Sequence, residues 1–129
     1  MATSILSTVK KSLGLVEDDT SFDTEVILFT NSVLATLNQI GVGPETGFQI
    51  EDAGATWDDL LGADSRLNFV QSYVHIKVKL LFDPPATSFA IKAMETIASE
   101  LESRISTVRE VDKWNTEQAA LPPPPTEEW

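Results

Sequence analysis

The feature of this sequence that most constrains its fold is an apolar stretch from Arg66 to Pro85, which reads RLNFVQSYVHIKVKLLFDPP. On a helix its apolar residues fill two neighbouring stripes, one with Leu67, Val70, Val74, Val78 and Leu81 and one with Phe69, Tyr73, Ile76 and Leu80. A helix that is apolar around most of its girth is surrounded by other protein, and this one is too short and too charged to cross a bilayer. We therefore expect a central packing helix, part of whose burial comes from neighbouring copies of the chain.

Length and composition predict one domain with tails. The chain has 129 residues, of which 42% are hydrophobic, so it can build a modest core. It contains no cysteine, which excludes thiol catalysis, disulfides and thiolate metal sites. The segment MATSILSTVKKSLG lacks the long apolar core of a signal peptide, and no stretch is long and apolar enough for a membrane span. We therefore expect neither a targeting segment nor a membrane anchor.

The charge is strongly negative and unevenly placed. The formal net charge is −11, and no Lys or Arg occurs between Ser12 and Ser65, where eleven acidic residues fall. Binding to duplex DNA through its phosphates needs clustered cations, so this composition argues against it. The acids are explained either by solubility or by a surface that docks on a basic partner or lines a passage to which DNA must not stick.

Apolar spacing and capping residues predict an all-α domain of about four to five helices. Thr20 with Asp23 resembles a capping box in which Asp takes the usual place of Glu. The helices are expected at Thr3 to Leu13, from Thr20 or Ser21 to about Ile40, at Trp57 to Leu61, from Asp64 or Ser65 to the two prolines Pro84 and Pro85, and from Thr87 or Ser88 to about Lys113.

Two segments fall outside this helical pattern. Residues 47–50, with Phe48 and Ile50 facing inward, are compatible with a short β element. From Asn115 onward the character changes, and four consecutive prolines, Pro122 to Pro125, cannot be helical. We therefore divide the chain into a helical domain, residues 1–114, and an extended Pro-rich tail, residues 115–129.

The tail has two interpretations, a disordered end or a docking strand. An extended segment loses little entropy on binding, and a terminal Trp is a good anchor. The candidate docking residues are the large apolar and Pro residues of this region, which are Trp114, Leu121, Pro122, Pro123, Pro124, Pro125 and Trp129.

The sequence offers no catalytic or metal-binding constellation. His75 is the only histidine, and it lacks the second group that a nucleophile pair or a histidine metal site needs. Asp58 and Asp59 are adjacent and point in different directions on a helix, so they fit first-turn charges that favour the helix dipole. We expect a protein that is not an enzyme and has no cofactor.

The lysines form no patch. Lys77 and Lys79 lie about 200° apart around the central helix. With Lys10, Lys11, Arg66 and Lys92 they are expected to contact acids on a neighbouring subunit rather than DNA, because the acids are plentiful.

The order of several of these segments resembles the head–tail connector (adaptor) proteins of tailed bacteriophages. The resemblance runs from Lys10 to Ile105 and rests on STVKKSLGL, EDDTSFDTEV, LNQIGVGP, FQI followed by TWDDLL, the central stretch, and TSFAIKAMETIASELESRI. It implies a structural subunit without catalysis, one of a dodecameric ring that lies under the portal, extends the DNA channel and docks the next neck or tail protein. It further implies a place in the virion neck, after assembly in the bacterial cytoplasm, and a portal-binding role for the C-terminal region.

On this interpretation the packing residues and the acids acquire roles. Residues expected in the core or at subunit contacts are Phe69, Tyr73, Val74, Ile76, Leu80, Phe82, Ile91, Met94 and Leu101. Acids expected to face the channel are Glu17, Asp18, Asp19, Asp58 and Asp59. The alternative from a different class is an acidic DNA mimic that inhibits a host DNA-binding protein.

Overall fold

The computed structural model describes residues 3–62 and 69–120, and within these residues every regular element is an α-helix. The helices are α1 (Ile5–Ser12), α2 (Asp23–Gln39), α3 (Trp57–Leu61), α4 (Phe69–Phe82) and α5 (Ser88–Ala120). The predicted all-α class is confirmed.

The central helix α4 packs against α1, α2 and α5. The Phe82 ring at its C-terminal end lies edge-on to Phe22 and Phe29, near the start of α2, so α2 and α4 are antiparallel. At its other end α2 meets α5, because Arg109 Nε donates to the Gly41 carbonyl oxygen at 2.6 Å. Helices α2 and α5 therefore run parallel to each other on different sides of α4.

A single chain covers more of α4 than the sequence suggested. Val70, Tyr73, Val74 and Val78 are fully buried. They share the core with α1, α2 and α5. The inward stripe needs no neighbouring copies, but the expectation that they bury part of this helix stays a prediction, because Ile76 and Leu80 are half-buried and Leu81 is exposed. Neighbouring helices of the same chain cover the inward stripe.

Local capping signals placed several helix ends correctly. Ser4 Oγ accepts from the Ser7 amide and begins α1. Thr56 and Asp59 form a full capping box at α3. After α1 the chain needs a left-handed residue, which Gly14 supplies with φ of 77°.

The last helix begins as predicted but ends later. Thr87 Oγ1 accepts from the Ala90 amide at 3.2 Å and caps the start of α5. The helix then continues to Ala120, so its predicted end at Lys113 is wrong and residues 115–120 are helical rather than extended. Residues 121–129 lie outside the described part of the chain, as does the predicted helix start at Asp64 or Ser65.

The predicted capping box at Thr20 and Asp23 is wrong. Helix α2 begins at Asp23 with Phe22 as N-cap, and no side chain caps it. The Asp23 carboxylate instead turns toward Lys10, whose Nζ lies 2.8 Å from Asp23 Oδ1.

The expected β element near Phe48 is also absent from the described residues. Ile50 is buried, but its backbone finds a side chain instead of a strand. The Ile50 amide donates to Asn31 Oδ1 at 2.7 Å, and Asn31 Nδ2 donates to the Ile50 carbonyl oxygen at 3.0 Å. The amide of Asn31 thus takes the place of a strand partner, and it holds residues 47–50 against α2.

Candidate assembly surfaces

The link between α1 and α2 is built around a buried lysine. Lys10 is 3% exposed, and its ammonium donates to the carbonyl oxygens of Glu17 at 2.8 Å and Asp19 at 2.7 Å. Asp23 Oδ1 supplies the countercharge; its approach angle lies outside hydrogen-bond geometry, so this contact is an ion pair. Two oxygens thus accept hydrogen bonds from the ammonium, and a third supplies the opposite charge. The expectation that Lys10 reaches a neighbouring subunit is wrong.

The acids of this link have local partners and remain accessible. Glu17 Oε1 accepts from Ser7 Oγ at 3.0 Å. Asp19 Oδ1 accepts from the Ser21 amide at 2.9 Å. Hydrogen bonds from Ser21 lower the pKa of Asp19, so this exposed carboxylate is ionised at neutral pH. Asp18 is exposed.

The second group of predicted channel acids lies on α3. Asp59 Oδ2 accepts from the Thr56 amide at 3.0 Å and completes the capping box, while Asp58 is exposed in the same turn. The start of α3 adjoins the start of α1, because the Ile5 amide donates to the Ala55 carbonyl oxygen. Residues 17–19 therefore lie along α1, since Ser7 and Lys10 both bond to Glu17, and the acids of α3 lie next to the start of α1.

The predicted packing residues fall into two sets. Tyr73 and Val74 are buried, and Phe69, Ile76, Phe82 and Leu101 pack against the core while remaining partly exposed. Leu80, Ile91 and Met94 are half-buried.

Tyr73 joins α4 to α5. Its hydroxyl donates to Glu102 Oε2 at 3.1 Å. Burial, followed by the neighbouring Glu102 carboxylate, raises the pKa of Tyr73 well above its usual range, so the phenol remains a donor at any physiological pH. This polar contact fixes how α5 lies on α4.

His75 belongs to the packing rather than to a reactive site. Its ring lies edge-on to Trp57, with centroids 5.9 Å apart, and burial lowers the pKa of His75. Trp57 Nε1 in turn donates to Thr8 Oγ1 at 2.9 Å. In residues 3–62 and 69–120 no three His, Asp or Glu side chains are arranged to hold a metal ion.

Exposed apolar side chains gather at the end of the molecule where α2 begins, α4 ends and α5 begins. Leu81 is 49% exposed, Phe22 44%, Phe89 84% and Val16, in the α1–α2 link, 68%. We call these four residues the open end. Sequence reasoning assigned Leu81 to an apolar stripe of the central helix and passed over Val16 and Phe89. The sequence could have indicated that Phe89 is exposed, because it lies outside the line of apolar residues along its helix.

Further apolar side chains lie on the outer faces of α2 and α5. Leu28 is exposed on α2, and Ile97 and Val111 are exposed on α5. Trp114, predicted as a docking residue, is 61% exposed near the C-terminal end of α5. The other predicted docking residues, Leu121 to Pro125 and Trp129, lie outside the described part of the chain.

Arg109 joins α5 to the C-terminal end of α2. Sequence reasoning did not identify this contact. Arg109 lines a polar groove of about 730 Å³ between the C-terminal end of α2 and the second half of α5. Besides its bond to Gly41, its Nη1 lies 3.2 Å from Asp112 Oδ2. A cation here complements the negative end of the α2 dipole, since α2 has no basic residue in its own last turn. Gly41 makes the close approach feasible, because it adopts φ of 96° in the turn that follows α2.

The surfaces of this small helical protein thus expose apolar side chains and carboxylates, which suit contacts with other molecules. The phage connector protein family matches residues 5–112, which is most of the chain, and the chain belongs to this family. Comparison with curated proteins and with solved structures gives no significant match. Membership makes the protein a structural component of bacteriophage particles, of the head–tail connector type, with its place in the virion neck. Of the described helices, none has the length and apolar character to cross a membrane.

Proposed function

We propose that the chain is one subunit of a ring of twelve copies that lies between the portal and the next neck or tail protein and extends the DNA channel. The observation that carries this proposal is the family match over residues 5–112. It favours the connector role over the DNA-mimic alternative.

The placement of α2 and α5 supports ring formation. Leu28, Ser32 and Ala35 follow one another along the outer face of α2, all exposed and uncharged. On α5, Ile97 and Val111 are exposed on a line that also carries Arg104. These are two different faces on different sides of α4. A contact that joins two different faces is heterologous, and successive copies joined in this way close into a ring when the rotation permits.

The ring contact is tested by placing a charge on each face. Leu28→Glu and Ile97→Glu should each prevent assembly, because a carboxylate buried without a partner in an apolar contact is costly. Ala53→Glu, which adds the same charge at an exposed position outside both faces and outside the open end, is the matched control. Assembly is measured by analytical ultracentrifugation and by electron microscopy of portal-bearing heads. A chain that stays strictly monomeric on those heads, with no ring density, contradicts the proposal.

The tail is proposed to dock on the portal. Trp114 exposes its ring near the end of α5, and α5 carries the chain away from the core before residues 121–129 begin. Deleting residues 121–129 should weaken attachment to portal-bearing heads by at least about tenfold while leaving ring formation by the free chain unchanged. Attachment is measured by co-sedimentation with the heads, and equal attachment of the truncated chain would remove the docking role.

The acids of residues 17–19 and of α3 are proposed to face the channel. Because both groups lie beside α1, this proposal requires α1 to line the channel wall. Exposed carboxylates there would repel phosphates and let DNA slide.

A further inference from the structure

We propose that the open end, formed by Val16, Phe22, Leu81 and Phe89, is a docking surface for a basic, apolar segment of another protein. The inference is independent of ring formation, since it concerns a surface that each copy carries. It assigns a partner class to an end of the molecule distant from the C-terminal tail.

The core is uncovered at this end. Along the inward stripe of α4, Val70, Val74 and Val78 are fully buried, whereas Leu81 on the same stripe is half exposed. Because Leu81 lies on the same stripe as the buried valines, it is exposed since the core ends there. It does not lie on the solvent-facing side of the helix.

Helix α2 shows the same loss of cover, whereas Phe89 on α5 is exposed because it faces away from the core. On α2, Val26 is fully buried while Phe22, one turn earlier, is 44% exposed. On α5, Ala98 is buried, but Phe89 lies nine residues earlier on the opposite side of the helix and is almost fully exposed. Phe22 and Leu81 are thus core residues exposed at one end, and Val16 and Phe89 add exposed apolar side chains near it. Apolar surface of this kind marks an interaction site.

The chain's own C-terminal residues cannot cover this surface within one copy. Helix α5 rises about 1.5 Å per residue, so roughly 45 Å separate Phe89 from Ala120. The nine residues that follow Ala120 span at most about 30 Å when fully extended. Residues 121–129 of the same copy therefore do not reach this surface, and we infer that its occupant comes from another molecule.

The charges around the open end select a basic occupant. Glu17, Asp18, Asp19 and Glu25 surround the start of α2, and in the described residues no lysine forms an ion pair with them. Lys10 is buried with Asp23, and Lys79 lies 3.6 Å from Asp83. Lys11 and Lys92 are the remaining cations near this end. Opposite charges across an interface favour encounter and specificity.

The same charges oppose a second copy as the occupant. The exposed apolar residues at the far end of the chain, Val111 and Trp114, are flanked by Glu110 and Glu117. Bringing that end onto the open end would place acids against acids in a chain of net charge −11. If the surface forms the axial end of a ring, residues 17–19 also form the rim of the channel there.

The test uses the full-length protein and three designed amphipathic helical peptides. The first peptide carries Leu and Lys, the second carries Leu and Glu in the same pattern, and the third carries Ser and Lys. We expect only the Leu/Lys peptide to bind. Its binding should change the backbone amide chemical shifts of the protein at residues around Phe22, Leu81 and Phe89. Binding by the Leu/Glu peptide, or mapping to Trp114 instead, would overturn the proposal.

Variants separate local contact from overall charge. Phe89→Ser with Val16→Ser should weaken binding of the Leu/Lys peptide by at least about tenfold, whereas Leu28→Ser on the outer face of α2 should not. Asp18→Asn with Glu25→Gln should weaken binding and reduce its salt dependence.

The pair Glu45→Gln with Glu51→Gln removes the same charge elsewhere and should leave peptide affinity unchanged. If both pairs of charge-removing substitutions weaken peptide binding equally, net charge alone attracts the peptide, and the assignment is overturned. Self-association of the peptide-free protein that is lost in the Phe89→Ser variant would identify a second copy as the occupant and would also overturn it.

Discussion

At the scale of single residues, Lys10 shows how a charged side chain can be part of a small core. A buried ammonium is tolerated only when its charge and all its N–H groups have partners. Two loop carbonyl oxygens and Asp23 provide these partners for Lys10. The contacts tie the end of α1 to the start of α2 and fix the acidic link between them, including the part of the open end that this link contributes.

Replacing Lys10 with Met should therefore destabilise the protein by roughly 2–4 kcal/mol, because Asp23 and the two carbonyl oxygens lose their partner while Asp23 is only partly exposed to water. Lys11→Met removes the same charge from the exposed neighbour and should change the free energy of unfolding by less than about 0.5 kcal/mol. Urea unfolding of both variants measures the difference. Equal stabilities for the two variants would contradict the structural role of Lys10.

At the scale of helices, the sequence predicted which helices exist and their order better than it predicted where each helix begins and ends. Local side-chain chemistry placed the start of α3, because Thr56 and Asp59 satisfy each other without help from distant residues. The same chemistry failed at α2, where Asp23 has a stronger partner, Lys10, thirteen residues earlier in the chain. The β element near Phe48 failed for a similar reason, since the partner of Ile50 is the Asn31 side chain. Long-range polar contacts of this kind leave no periodic signal.

The length of α5 also escaped the sequence pattern. Its apolar seam ends near Val108, yet the helix continues to Ala120. Beyond Arg109 none of its residues is buried, so helix propensity and local bonds support this part rather than the core. Arg109 ties this part of α5 to the end of α2 through Gly41.

Hydrogen exchange should report this division of α5. Amides of residues 98–108 should be protected more than those of residues 113–120, because the latter lie on no buried surface. Arg109→Met should lower protection in the last turn of α2 about fivefold to tenfold by removing a charge-assisted bond. Arg104→Met, at an exposed position of the same helix, is the control and should leave those amides unchanged. Uniform protection along α5 would contradict this account.

At the scale of the whole molecule, the central stretch predicted the core but not the surface. Tyr73 and Val74 are buried within one chain, so an apolar girth alone did not reveal where other molecules bind. The exposed apolar residues lie where the helical layer ends and on the outer faces of α2 and α5. These places depend on how helices of different length and direction stack, which a pattern within one helix does not contain.

The distribution of charge leads to a prediction for the assembled particle. Asp18 and Asp58 are exposed members of the two proposed channel groups. Replacing both with Lys should slow DNA release from particles, because cations in the channel attract phosphates, and added salt should relieve the delay. Release is followed by fluorescence of a DNA-binding dye after ejection is triggered.

Glu45→Lys with Glu51→Lys makes the same change in net charge outside the proposed channel groups, and its effect decides the interpretation. If only the first pair delays release, position in the channel matters, and α1 runs along its wall. If both pairs delay release equally, the effect follows from overall charge and the assignment of Asp18 and Asp58 to the channel fails. Normal release by both variants would also reject it, since lysines that touched the passing DNA would hold its phosphates.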